Sequence, residues 1–143
     1  MIHDFLLLPS SLTLPDPGKR IAWGRLIGAS AALAVAELAD QYDRPILVLA
    51  DDPRQADQLE AEIRFFAGDN IDVSHFVEWE TLPWDTFSPH QDIISERIKV
   101  LSTLRGMQRG VVVAAAPVLM QRLPPIHYIA ARAVGETWSG AAA

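Results

Sequence analysis

Apolar positions along this chain recur with two different spacings, which predict helices and strands in alternation. Residues 30–42 show helical spacing and many alanines, so a close-packed helix is predicted there. Residues 46–50 are a continuous apolar run, Ile-Leu-Val-Leu-Ala, bounded by turn residues. Such a run is typical of a strand buried on both faces of a parallel sheet.

A second helix is predicted directly after this strand. Asp52 can cap it, Pro53 suits the first helical position, and Gln55 can complete a capping box. Gly68 is a natural stop for this helix. Its apolar face is formed by Ala56, Leu59, Ile63 and Phe66.

The second half of the chain continues the alternation. Strands are predicted at 73–77 and at 111–116, and the latter is again a continuous apolar run. Between them lie a loop over 79–89 and a helix that Ser88 or Asp92 caps. The buried stripe of that helix is predicted to be Ile94, Ile98, Leu101 and Leu104.

The order of these elements predicts a three-layer α/β fold with a mostly parallel sheet. A short helical turn at 117–121 follows the last strand, and beyond it the pattern weakens, with one more strand predicted at 127–134. We therefore divide the chain into an N-terminal arm at 1–18 and an α/β subdomain at 19–125. Residues 126–143 are interpreted as the start of an incomplete following subdomain or a tail.

Composition narrows the function classes. The chain has 143 residues, half of them hydrophobic, which suits one compact domain. It has no cysteine, which excludes a disulfide framework and a cysteine-based metal site. Its formal charge of −6 argues against a basic face for nucleic acid. No apolar run approaches the ~20 residues of a membrane span, so we expect a cytoplasmic protein with no membrane partner.

A glycine-containing loop before the first predicted helix is the first candidate site. A working phosphate-binding P-loop has the form G-x-x-x-x-G-K-[ST], in which the lysine neutralises phosphate charge. Here Gly24 and Gly28 are one residue closer together, Ala29 occupies the lysine position, and the hydroxyl of Ser30 remains. The loop is therefore interpreted as a degenerate P-loop that lacks the charge required for phosphoryl transfer.

Metal and hydrolase chemistry find little support in the sequence. The pair Asp51-Asp52 follows a predicted strand, but Asp52 is better used as a helix cap. The four histidines are dispersed without ligand spacing, and no G-x-S-x-G nucleophile elbow is present. We therefore assign no metal site and no catalytic residue.

Three aromatic residues in the predicted loop form a second candidate site. Trp79, Trp84 and Phe87 either fold back over the end of the sheet or contact a partner. Acidic neighbours along the same loop argue against nucleic acid as that partner. Trp84, Phe87 and Arg97 are our candidate contact residues.

The stretch from residue 77 to residue 97, V-E-W-E-T-L-P-W-D-T-F-S-P-H-Q-D-I-I-S-E-R, is dense in rare residues. It resembles the N-terminal module of the bacterial transcription-repair coupling factor, whose corresponding run has the form D-W-E-T-L-P-Y-D-x-F-S-P-H-Q-D-I-I-S-x-R-L. Glu78 stands for the first Asp, Trp84 for Tyr, and Ile98 for the final Leu. Similar segments occur in the same order elsewhere, at 36–39, 45–52, 107–114 and 118–122, so the resemblance covers about residues 12–135.

This resemblance implies a RecA-like helicase subdomain, related to the damage-recognition helicase of nucleotide excision repair, that has lost its ATP chemistry. It implies an adaptor that docks the excision-repair recognition protein and contacts the remainder of the coupling factor. ATP and Mg would belong to the motor part of the full-length protein, an ATP-dependent DNA translocase, and no cofactor is expected for this chain. RNA polymerase and DNA would be reached only through other domains.

Two alternatives stay open at the level of sequence. One is a stand-alone NTPase or helicase-fold domain with weak nucleotide binding, in which Arg25 would be the local substitute for the missing lysine. The other is a free-standing α/β interaction domain. The second shares every residue with the adaptor interpretation, so the sequence does not separate them.

Overall fold

The computed structural model describes residues 14–24, 26–79 and 91–136, without the side chains of 132–136. Within these ranges helices and strands alternate as predicted. Two short 3₁₀ turns, Gly68–Asn70 and Ala116–Met120, follow the second helix and the third strand. The longer elements, in chain order, are α1 (Ser30–Gln41), β1 (Pro45–Ala50), α2 (Pro53–Ala67), β2 (Val73–Phe76), α3 (Gln91–Leu104), β3 (Gly110–Ala115) and α4 (Ile126–Glu136).

The three described strands form one parallel sheet in the order β1-β3-β2. Val111 of β3 is in register with Ile46 of β1 on one side and with Val73 of β2 on the other. The strand that comes last in the chain is therefore the central one. This arrangement confirms the predicted α/β class with a parallel sheet.

Helices cover both faces of the sheet. Residues in register on neighbouring strands point to the same face. On one face His75 of β2 reaches Glu60 of α2, with Nδ1 3.1 Å from Oε2, and α1 packs beside α2. On the other face Phe76 lies against Arg97 of α3, and α4 packs on α3. The result is the three-layer architecture that the sequence predicts.

Both ends of α2 are set by the residues predicted to set them. Asp52 accepts a hydrogen bond through Oδ1 from the backbone N–H of Gln55 at 2.8 Å. The side chain of Gln55 accepts in return from the N–H of Asp51, one residue before the cap, at 2.8 Å. Gly68 ends the helix with a φ of +59°, a value that favours glycine.

The end of α1 is held by a residue from a distant part of the chain. Arg109, just before β3, donates through Nε to the carbonyl oxygen of Ala39 at 3.0 Å. Its Nη2 lies 2.8 Å from the carboxylate of Asp40. Because α1 has no basic residue in its last turn, Arg109 supplies the positive charge that favours a helix C-terminus.

The prediction that the first strand is buried on both faces is wrong. Leu47 and Leu49 of β1 are 59% and 47% exposed, although Ile46 and Val48 on the other face pack against the core. β1 is an edge strand of the described sheet, and α3 contacts the sheet at β2, on the opposite edge. The strand predicted at 111–116 is β3, and it is buried along its whole length.

The strand predicted at 127–134 is also wrong, because this segment is part of α4. Ile126, Ile129 and Ala130 fall at helical spacing and lie against the end of α3. The helix starts directly after a proline pair, and the N–H of Tyr128 is bonded to the carbonyl oxygen of Pro125 at 3.0 Å. Its alanine content favours helix over strand.

The buried stripe of α3 is only partly the predicted one. Ile98 is buried, but Leu104 is 37% exposed, because the end of α3 borders an open groove. Arg97 and Val100 are buried instead. Asp92 lies within the first turn of α3 as described, and Ser88 falls outside the described residues.

Candidate functional site

The glycine loop lies at the surface at the N-terminus of α1. No strand precedes it in residues 14–24, so its first glycine does not follow a buried strand as in a working P-loop. Gly28 has a φ of +60°, which favours glycine, and Ile27 beside it is 83% exposed. A Cβ at Gly24 or Gly28 would meet no atom within 4 Å, so neither glycine is imposed by close packing.

The hydroxyl of this loop is engaged in a contact within the loop itself. Ser30 donates its hydroxyl to the carbonyl oxygen of Ile27 at 2.9 Å, so the hydroxyl already has a partner within the loop. Ala29 is the N-cap and offers no side-chain hydrogen bond. Gly24, Gly28, Ala29 and Ser30 carry no charged side chain, and Arg25 falls outside the described residues. Among the described residues of the loop, no side chain offers the cation that a P-loop lysine supplies.

Arg97 is the buried charge among the described residues, with 3% of its surface exposed. Its guanidinium carbon lies 4.3 Å from the ring centroid of Phe76 and 4.4 Å from that of Trp79. Nη1 also donates a hydrogen bond to the carbonyl oxygen of Val77. Burial lowers the pKa of Arg97, and the negative charge of Glu78 acts in the opposite direction.

We call this arrangement the arginine clamp: Arg97 together with Phe76, Val77 and Trp79. It ties the segment after β2 to the buried side of α3. The ring of Trp79 is therefore folded back onto the domain. This agrees, for Trp79, with the interpretation that the loop aromatics fold back rather than contact a partner. Direct partner contact through Arg97 stays a prediction, since its described contacts are internal. The candidate contact residues Trp84 and Phe87 fall outside the described residues.

A groove of about 610 Å³ opens between the C-terminal half of α3 and the start of α4. We call it the α3–α4 groove. It is mostly apolar, and several of its lining side chains are well exposed, at 37% for Leu104, 54% for Leu123 and 68% for Ile126. Its lining residues are Leu101, Ser102, Leu104, Arg105, Leu123, Pro124, Ile126, Ile129 and Ala130.

Metal ligands, ionisable clusters and long apolar helices are the other features of the described part of the chain that bear on function. Among residues 14–24, 26–79 and 91–136, no group of histidines and carboxylates could hold a metal ion. His75 is largely buried and lies between Asp57 and Glu60, with Nδ1 3.4 Å and 3.1 Å from their carboxylate oxygens. No helix in these ranges is long and apolar enough to cross a membrane.

Comparison with known proteins decides the family. The chain is 43% identical over 118 residues, 82% of its length, to the transcription-repair-coupling factor of Escherichia coli K12. It is 36% identical over 121 residues, 85% of its length, to that of Haemophilus influenzae Rd. The chain belongs to the transcription-repair-coupling factor family. It spans about a tenth of the length of these relatives, and no protein-family model matches it.

Charge is strongly segregated along this coupling-factor segment. From residue 97 to residue 135 there are six Lys or Arg residues and no Asp or Glu, although acids outnumber bases 18 to 12 in the whole chain. Arg105 lines the α3–α4 groove, and Arg122 directly precedes its lining residue Leu123. The groove therefore lies in a cationic part of an acidic protein.

The net charge of the chain conceals this local cationic region. The groove itself was missed because its second wall was predicted as a strand, which would place Ile126 and Ile129 on opposite faces. The absence of acids between Glu96 and Glu136 is visible in the sequence and is the signal that could have pointed to this region.

Proposed function

We propose that this chain is a non-catalytic adaptor module of a transcription-repair coupling factor, acting in transcription-coupled nucleotide excision repair through protein–protein contacts. The observation that carries the proposal is identity of 36–43% to such factors over more than four fifths of the chain. The chain corresponds to about a tenth of the length of its relatives. We therefore assign the adaptor function to this chain and the motor function to other parts of the full-length factor.

The catalytically silent part of the proposal rests on the glycine loop. Phosphoryl transfer needs cations that neutralise the charge developing on the phosphate oxygens. Alanine occupies the position of the P-loop lysine, and the neighbouring hydroxyl is bonded within the loop. We assign ATP and Mg to the motor part of the full-length factor, an ATP-dependent DNA translocase that displaces stalled RNA polymerase.

The proposed partners follow from the separation of the adaptor module from the motor part of the full-length factor. We assign the excision-repair recognition protein and the remainder of the coupling factor as direct partners of the module. RNA polymerase and DNA are contacted by other domains of the full-length protein. The cytoplasm is the compartment in which a bacterial repair factor meets all of these.

Nucleotide binding tests the silent part of the proposal. A fluorescent ATP analogue titrated into the 143-residue chain should show no saturable binding up to millimolar ATP, and no phosphate should be released. Ala29→Lys is the informative companion, because it returns a cation to the lysine position. Binding by the unaltered chain that disappears in Arg25→Ala would favour the stand-alone NTPase instead.

Repair of the transcribed strand tests the adaptor part. The full-length factor is compared with a version in which this module is replaced by an unrelated domain of similar size. We expect the replaced protein to keep ATP hydrolysis and displacement of stalled polymerase but to lose stimulation of excision and capture of the excision-repair recognition protein. Unchanged stimulation of excision would overturn the adaptor assignment.

A further inference from the structure

The α3–α4 groove is bounded by two adjacent helices. Its walls are α3, with Leu101 and Leu104, and α4, with Ile126 and Ile129. Two adjacent helices present ridges between which a third helix packs at about 8–10 Å from each. The exposure of Ile126 and Leu123 leaves apolar surface open to water at the mouth of the groove.

The lining argues against an extended nucleic acid strand. Single-stranded nucleic acid is held by aromatic side chains that stack on the bases, together with cations that follow the phosphates. Its described lining residues include no aromatic side chain and are aliphatic apart from Ser102 and Arg105. A helix that places apolar residues at i, i+3 or i+4 and i+7 matches such a surface.

Charge selects which kind of helix fits. Arg105 lies in the lining, and neither it nor Arg122 forms an ion pair with another described residue. Because residues 97–135 include no Asp or Glu, nothing nearby in sequence neutralises these cations. An occupant with acidic residues beside its apolar stripe would pair with them, whereas a basic helix would be repelled.

We propose that the α3–α4 groove docks an amphipathic helix of a partner protein, apolar on the face that enters the groove and acidic along its flanks. The described helices of a second copy do not fit this description. The apolar faces of α1 and α2 are packed in the core, and the exposed apolar residues of α3 and α4, Leu104 and Ile126, lie in the stretch 97–135, which has no Asp or Glu. The inference rests on the proposed adaptor role, and it gives that role a surface and a partner chemistry.

A synthetic helix provides a direct test. The probe is a fluorescein-labelled peptide of about 18 residues, or five turns, with leucine at helical spacing on one face and glutamate on both flanks. Fluorescence anisotropy measures its binding to the 143-residue chain. Two companion peptides separate the contributions: one has the same composition in scrambled order, and one has lysine in place of every glutamate. We expect saturable binding of the first peptide alone.

Variants then locate the site. Leu123→Ser and Ile126→Ser remove apolar contacts at well-exposed positions, and together they should weaken binding by at least about tenfold. Leu119→Ser, at a comparably exposed leucine outside the lining (58%), should leave binding unchanged. Arg105→Glu should weaken binding and reduce its salt dependence, whereas Arg54→Glu, on exposed α2 surface, should do neither.

Several results would overturn the proposal. The first is that the scrambled peptide binds as well as the designed one. The second is that Leu119→Ser weakens binding as much as the groove variants do. The third is that the lysine peptide binds more tightly than the glutamate peptide. A single-stranded oligonucleotide that binds through Arg105 would show that the cations serve nucleic acid. Self-association abolished by Ile126→Ser would identify a second copy as the occupant. If the peptide does not bind but the module-replaced factor still loses repair, the groove is not the docking surface. The adaptor role would then stand without it.

Discussion

The guanidinium of Arg97 lies over the ring of Phe76, with Cζ 4.3 Å from the ring centroid. Phe76 ends β2 and Arg97 lies in α3, so this pair joins the strand and the helix on either side of residues 77–90. Trp79 lies over the same guanidinium at 4.4 Å. One buried cation therefore organises the start of the segment that is densest in rare residues.

Replacement of Arg97 should be costly for the fold. A desolvated cation–π contact contributes about 2 kcal/mol, and a hydrogen bond from a charged donor contributes about 1.5–3 kcal/mol. We expect Arg97→Ala to lower the free energy of unfolding by about 2–4 kcal/mol in urea titrations. Arg97→Lys should recover less than half of that loss, because lysine lacks the planar guanidinium group. Arg105→Ala, at the exposed residue that directly follows α3, should cost less than about 0.5 kcal/mol. Equal costs for Arg97→Ala and Arg105→Ala would refute the clamp.

The cap of α2 allows a comparison between adjacent aspartates. Asp52 accepts the N–H of Gln55, whereas Asp51 takes part through its backbone N–H. Asp52→Ala should therefore lower the free energy of unfolding by about 1 kcal/mol, and Asp51→Ala should change it little. Thermal unfolding followed by circular dichroism distinguishes the two. A larger loss from Asp51→Ala would contradict this assignment.

The contact of Arg109 with the end of α1 gives a third prediction. Arg109→Ala removes hydrogen bonds to the carbonyl oxygens of Ala39 and Asp40 and the ion pair with the Asp40 carboxylate. The expected loss in the free energy of unfolding is about 1–2 kcal/mol. Asp43→Ala is the control, because Asp43 is 90% exposed and lies 4.0 Å from the same guanidinium, where a surface pair contributes about 0–1 kcal/mol. Hydrogen exchange at the last amides of α1 should increase in Arg109→Ala and not in Asp43→Ala.

Glu37 on α1 makes stability depend on pH. Burial raises the pKa of its carboxyl group above the ordinary 4.5, and Oε1 is buried with no hydrogen-bond partner among the described residues. The folded state therefore binds this proton more tightly than the unfolded state, so stability falls as pH rises from the ordinary pKa through the raised value. Glu37→Gln should stabilise the protein at neutral pH and lose that advantage in acid. Urea titrations from about pH 4 to pH 7 test this, and an advantage that grew toward low pH would have the wrong sign.

Local signals in the sequence were sufficient for most elements of the fold. The Asp52 cap, the Gly68 stop and the buried run of β3 depend on residues within a few positions of each other, and each is confirmed. Parallel pairing followed from the alternation of helices and strands. The interpretation of the glycine loop as a degenerate P-loop, from its spacing and its missing lysine, stays a prediction.

What the sequence did not reveal depends on contacts between distant residues. The run at 46–50 looks the same whether its strand is central or at an edge, so the exposure of Leu47 depends on the layers around it. Charged residues are usually assigned to the surface, and Arg97 is buried because two aromatic rings enclose it. The α3–α4 groove required knowing that residues 126–136 are helical.

The position of β3 also has a consequence for the growing chain. β1 and β2 do not pair with each other, and both use β3 as their neighbour. During synthesis these two strands emerge before residues 110–115, so no parallel ladder among the described strands can form until the last strand has left the ribosome. A nascent chain stopped before Gly110 would hold two unpaired strands and an incomplete core. Completion of this sheet therefore waits for the synthesis of β3, and until then the arginine clamp at the end of β2 adjoins an unpaired strand.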